Sequence, residues 1–118
     1  MVYIYIGIAG ALGAITRYSI GIFIISETGF PSATLLVNLV GSYALAFITS
    51  RTLPFSNKLK LVIGTGFIGS FTTFSAFSVE TITMIEDGQI VHAIIYITLS
   101  IVGGIIMSNL GWKNEVIK

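Results

Sequence analysis

Four apolar stretches, at positions 2–25, 32–53, 59–85 and 88–112, take up almost all of this 118-residue chain. Each meets or exceeds the roughly 20 residues a helix needs to cross the hydrocarbon of a bilayer. Such a chain has few choices, because hydrocarbon offers unpaired backbone groups no water and only helices or closed barrels satisfy them internally. Composition agrees: 54% of residues are hydrophobic and 9% charged, against about 25% charged in a soluble domain. The expectation is an all-α membrane protein, a single four-span domain over residues 1–118 with antiparallel neighbouring helices. Short connectors support this: 26–31 turns around Gly29, 54–58 is polar, and Glu86-Asp87-Gly88 reads as a tight turn.

The same numbers exclude other classes. A net charge of +1 gives no basic face for nucleic acid. The absence of cysteine removes disulfides and thiolate metal sites. The first stretch lacks a basic leading region and a small-residue cleavage site, so it reads as a mature span. Four short helices do not readily enclose a pore, and oligomerisation is expected.

The third stretch departs from a plain span. Gly69, Ser70, Thr72, Thr73 and Ser75 crowd into seven residues at mid-depth. Non-helical backbone is tolerated there only where protein or a water-filled cavity surrounds it, which predicts a helix broken in mid-membrane. A break frees carbonyls on one side and N–H groups on the other, and such ends hold small ions without formal charge. Phe67, Phe71, Phe74 and Phe77 are spaced four, three and three. On a regular helix they would share one side, facing either lipid or a pore where positive ring edges meet an anion. Glu80 follows one turn later and, near the acidic turn, is placed at the interface.

Polar residues on the other spans also fall into register. Thr34, Asn38 and Ser42 recur every four residues, as do His92, Tyr96, Ser100, Gly104 and Ser108, each set drawing a stripe on one helix face. Asn38 either bonds a neighbouring helix or lines a polar track with its amide. Arg17 either faces a partner or water inside the membrane, or snorkels to the headgroups. Gly7, Gly10, Ala11, Gly13 and Ala14 form a small-residue surface suited to close helix packing. His92, close to the acidic turn, reads as solvated.

Three segments carry a family resemblance: GALGAITRY at Gly10–Tyr18, TLLVNLVGS at Thr34–Ser42 and GFIGSFTTFSAFSVE at Gly66–Glu80. In this order and spacing the chain resembles the Fluc (CrcB) fluoride channel family. The resemblance implies a channel, not an enzyme: an antiparallel dimer of four-helix subunits with two pores, passively exporting fluoride that enters cells as HF. It implies a structural Na⁺ at the dimer centre, held by backbone carbonyls that fall at Gly69 and Thr72. It further implies pore roles for Asn38, Phe74 and Phe77, a polar track through Thr73, Ser75, Tyr96, Ser100 and Ser108, and a structural role for Arg17. Two departures, Ala76 where the family usually has threonine and Gly104 where a hydroxyl is common, leave one or two track hydroxyls open. Rival readings are a proton-coupled small multidrug transporter, for which Glu80 is the one candidate acid, and a non-conducting accessory subunit.

Charge placement bears on the partner. With four spans, both termini and the second connector share one side, which carries Arg51, Lys58, Lys60, Lys113 and Lys118, while the opposite connectors carry only Glu27, Glu86 and Asp87. Lys and Arg near span ends stay cytoplasmic, so the expected location is the cell membrane with both termini inside. Five against none argues for one fixed topology. The second, antiparallel subunit is then either another copy of this chain or, as the charge bias argues, a homologue of reversed bias, with Arg17 as the one counterweight.

Overall fold

The computed structural model describes residues 1–25 and 27–112, and all regular structure within them is helical. Helix α1 is Val2–Phe23, α2 is Ser32–Ser50, α3 is Asn57–Leu61, α4 is Gly69–Phe71, α5 is Phe74–Glu86 and α6 is Ile90–Gly111, with a π-helical segment, Val62–Ile68, between α3 and α4. Four stretches are long and apolar enough to cross a membrane: α1, α2, the 30-residue run Asn57–Glu86, and α6. At 1.5 Å per residue the 22 residues of α1 reach about 33 Å, enough for a hydrocarbon layer of about 30 Å. Lys113 and Lys118 lie outside the described residues.

Local chemistry sets the ends. Pro31 is the N-cap of α2, where its missing N–H does no harm. At the other end Arg51 turns extended, φ −107° and ψ 146°, three residues ahead of Pro54. Gly29 and Gly88 take positive φ, 78° and 79°, which L side chains disfavour, and each sits where the chain reverses. Ser56 caps α3 by accepting the Leu59 N–H at 3.1 Å.

Two close packings hold the bundle. Along α1 and the π-helical segment, a Cβ on Gly13 would sit 2.2 Å from the Phe67 carbonyl oxygen, and one on Gly66 would sit 2.7 Å from that of Ile6. Along α2 and α6, a Cβ on Gly111 would sit 2.4 Å from the Tyr43 carbonyl oxygen. Backbones this close are how helices associate in lipid, where apolar surface gains nothing from meeting other apolar surface. Gly10 joins the first contact, facing Ser70 Oγ, whereas Gly7 has open space around it. The buried core is small and lies where α5 meets α6: Met84, Ala93 and Tyr96, packed by Phe30, Leu35 and Phe77. Large apolar side chains such as Ile94, Ile101 and Ile105 are exposed, as a lipid-facing surface requires.

The third crossing is interrupted. Thr72 (ψ 154°) and Thr73 (φ −149°, ψ 119°) are extended, separating α4 from α5. The break thus falls inside the glycine and hydroxyl cluster. The π-helical turn before it adds a loosening that the residue pattern alone did not reveal. The break also splits the phenylalanine row into two pairs: Phe67 stacks on Phe71 with ring centroids 6.0 Å apart, and Phe74 tilts over Phe77 at 5.9 Å. Phe71 is buried and Phe74 is 79% exposed, so the four rings do not share one side.

Candidate functional site at the break

The backbone groups that the break releases are mostly claimed by named side chains. Asn38 on α2 spans the gap reciprocally: its Oδ1 accepts the Thr73 N–H at 2.8 Å and its Nδ2 donates to the Thr73 carbonyl at 3.1 Å. Arg17 on α1 donates from Nε to the Ser70 carbonyl at 3.2 Å. The Thr72 hydroxyl donates back to the Ile68 carbonyl, and Thr73 Oγ1 caps α5 by accepting the Ala76 N–H at 3.1 Å. This leaves the Gly69 and Thr72 carbonyls without the N–H groups four residues ahead, which are the Thr73 and Ala76 N–H groups already engaged. Gly69 is exposed and Thr72 half-buried, so both carbonyls remain open to a partner from outside the chain.

Beside the break an open groove of about 370 Å³ runs between α2, α5 and α6, lined by Asn38, Ser42, Thr73, Phe74, Phe77 and Ser100 together with Thr72. Its polar groups are neutral. Ser42 Oγ donates to the Asn38 carbonyl at 2.8 Å, while Ser100 Oγ is buried with no hydrogen-bond partner. Phe77 lines the groove, its ring 5.1 Å from that of Tyr96. Tyr96 is fully buried. Ser75 is exposed, with Oγ 3.3 Å from Thr73 Oγ1, and Gly69 is exposed too. Ser108 is half-buried near the end of α6 and does not line the groove. The α6 stripe therefore divides: Tyr96 lies in the core, Ser100 in the groove, and His92 on the surface.

Glu80 is more central than its sequence position suggested. Its Oε1 accepts the Thr34 hydroxyl at 2.7 Å and its Oε2 accepts the Tyr96 hydroxyl at 2.8 Å. An interfacial carboxylate would find water; this one is half-buried and held by two helices. The Thr34 and Tyr96 stripes were the available signal, since both converge on the one acid in the interior of the third span. A second cavity of about 360 Å³ is lined by Arg17, Thr34, Ala76 and Glu80 among others. Ala76 accordingly faces Arg17 and Glu80, away from the groove, and its missing hydroxyl leaves the groove lining untouched. Gly104 looks toward Ser42 Oγ, 3.9 Å from where a Cβ would be.

Comparison with known proteins fits this geometry. The family described as CrcB-like protein, Camphor Resistance (CrcB), matches residues 4–112. A protein of Listeria innocua serovar 6a named fluoride-specific ion channel FluC 2 is 48% identical over 127 residues, covering 100% of this chain and 95% of its own. Fluoride-specific ion channel FluC 1 of Desulfitobacterium hafniense is 49% identical over 104 residues, covering 86% of this chain and 91% of its own. With the family match spanning all four crossings and such similarity to full-length relatives, this chain belongs to the CrcB family.

Proposed function

We propose that this chain is one subunit of a fluoride-selective channel that lets fluoride leave the cell passively, with two pores formed in an antiparallel dimer. Fluoride is small and strongly hydrated, so a pore must replace its water with oriented donors yet release it readily. The observation that carries the reading is the groove at the break, where Asn38, whose amide keeps a second N–H beyond the one given to Thr73, and Ser100, whose hydroxyl has no partner, line the same neutral surface as the rings of Phe74 and Phe77, without a lysine or arginine in the lining. The relatives' names, fluoride-specific ion channel, support the choice of ion. A proton-coupled transporter needs a titratable acid that is free to change partners, whereas both oxygens of Glu80 are engaged by hydroxyls. Fluoride efflux from liposomes, read by electrode with an internal pH indicator, tests the proposal. Efflux without proton exchange is expected. Drug-dependent proton exchange, or no flux from folded protein, would overturn it.

The rings give a sharper test. Phe74→Ile and Phe77→Ile keep much of the apolar volume but remove the positive ring edge. Each is expected to lower the initial efflux rate about tenfold, in line with the ~1.5 kcal/mol that a ring contact can carry. Wild-type efflux from a reconstituted, monodisperse double variant would contradict the assignment.

The Gly69 and Thr72 carbonyls are the groups that would hold a structural Na⁺ together with their copies in the second subunit. They fit one in chemistry: neutral oxygens stripped of their helical donors, with no group of three or more carboxylate or histidine ligands among the described residues, whereas divalent ions usually recruit carboxylates. When bound, the ion would neutralise carbonyl dipoles that meet at the subunit contact. Thermal stability in detergent is expected to fall when sodium is replaced by N-methylglucamine. An unchanged melting curve would remove the ion from the proposal.

The partner follows from charge. Arg51, Lys58 and Lys60 lie on one connector, and Glu27, Glu86 and Asp87 on the opposite ones, which supports a fixed topology with both termini cytoplasmic and a homologous, inverted second subunit. Labelling a C-terminal tag on cells that express this chain alone is expected to report one face. Equal labelling from both faces, with fluoride efflux from the lone chain, would establish a homodimer instead.

A further inference from the structure

A third cavity, about 340 Å³, lies far from the break, between the first turn of α1 and the α3 junction with the π-helical segment, and is lined by Met1, Val2, Tyr5, Lys58, Leu59 and Val62. Its walls follow helical spacing. Val2 and Tyr5 are three apart on α1, and Lys58 and Val62 four apart on the third crossing, so each pair shares a face. The cleft therefore has an apolar floor with two ammonium-bearing residues in its lining, Lys58 and the N-terminal Met1. Apart from Lys58 and the Tyr5 phenol, the side chains around it are hydrocarbon or thioether.

Two other side-chain cations of this end have contacts of their own. Lys60 Nζ donates to the Arg51 carbonyl at 2.9 Å. The Arg51 guanidinium lies 4.2 Å from the centre of the Phe47 ring. Both strap the connector to the end of α2, while the Lys58 side chain is exposed over the cleft. Every acidic residue among those described sits elsewhere: Glu80 within the third crossing, and Glu27, Glu86 and Asp87 at the opposite end. An anion approaching Lys58 thus meets the Lys58 and Met1 ammonium groups and no acidic side chain in the lining.

We propose that this cleft binds an anionic glycerophospholipid of the surrounding leaflet, an acyl chain lying on Val2, Leu59 and Val62 and the phosphate meeting Lys58, with the Tyr5 phenol as a second donor. A cleft open to hydrocarbon favours a chain that restores contact with its walls. A cation at the rim of such a cleft selects the negatively charged headgroup, and one lysine near a membrane surface gives about a fivefold preference. Neither part depends on what the channel conducts. The occupant differs from a free phosphate ester, which would have no use for the apolar floor.

Lipid retention on the full-length purified protein tests this by native mass spectrometry, using equimolar dioleoyl phosphatidylglycerol and dioleoyl phosphatidylcholine in mild detergent. Wild type is expected to keep phosphatidylglycerol over phosphatidylcholine about fivefold. Lys58→Gln should lower the ratio toward parity and Lys58→Arg should preserve it, while Glu86→Gln at the opposite end should leave it unchanged. Val62→Trp, which fills the floor, should reduce retention of both lipids. Equal retention by wild type, a ratio insensitive to Lys58→Gln, or displacement of the lipid by millimolar glycerol phosphate would each overturn the proposal, the last by identifying a plain phosphate site.

Discussion

Gly13→Ala is expected to be strongly destabilising. The added methyl would stand 2.2 Å from the Phe67 carbonyl oxygen and 3.0 Å from its carbon, and both are backbone atoms of the π-helical segment, so no side chain can swing aside. Overpacking usually costs 1–3 kcal/mol, and a rigid backbone neighbour puts this site at about the upper figure. Set against total stabilities of roughly 5–15 kcal/mol, that is a large fraction. A fall in melting temperature on the order of 10 °C is expected, with loss of the monodisperse peak in detergent. Gly7→Ala, on the same helix with nothing within 4 Å, is the control and should melt with wild type. A Gly13→Ala protein that melts like Gly7→Ala would mean that the two backbones are further apart than described.

Asn38→Asp is expected to cut fluoride efflux by about a hundredfold, and Asn38→Ser by much less. The aspartate is nearly the same shape, so the difference isolates charge and donor. One oxygen can still accept the Thr73 N–H, but the other replaces the Nδ2 group that donates to the Thr73 carbonyl at 3.1 Å, setting two acceptors against each other. A carboxylate at mid-helix also costs about 3 kcal/mol by insertion scales, and it repels an anion in the groove. Serine is too short to bridge both Thr73 groups, yet it keeps a hydroxyl donor and adds no charge. Efflux from liposomes loaded with equal amounts of folded protein decides the order. If Asn38→Asp conducts as well as Asn38→Ser, the amide serves the break alone and the ion passes elsewhere.

Much of this architecture could be read from residues in a row. The four crossings follow from apolar length, and the break follows from Gly69 through Ser75, because a crowd of hydroxyls and glycines at mid-depth has no other physical use. What local spacing could not supply was partnership across the bundle. Asn38 left two readings open on spacing alone, and the structure joins them: the amide bonds Thr73 on another crossing and also lines the groove. Arg17 reads equally as a snorkelling side chain until the Ser70 carbonyl is seen within reach. Glu80 was placed at the interface because it lies near a turn, and only the convergence of Thr34 and Tyr96 shows why it stays half-buried. The phenylalanine spacing misled in the other direction, since helical periodicity does not continue through two extended residues. Ala76 departed from the family pattern, and its position facing the second cavity depends on that same change of phase.

The two side chains that reach the break from other crossings both come earlier in the chain than the groups they serve: Arg17 for the Ser70 carbonyl, Asn38 for both backbone groups of Thr73. A ribosome delivers residues in that same direction. By the time Thr72 and Thr73 leave the exit tunnel, the first two crossings are available, so the interrupted helix enters the bilayer beside its guanidinium and its amide instead of waiting for them. Synthesis in the opposite order would leave bare peptide groups in oil, which cost several kcal/mol each. The broken crossing is third in the chain, and its two helpers come before it; the order of the crossings is itself a provision for assembly.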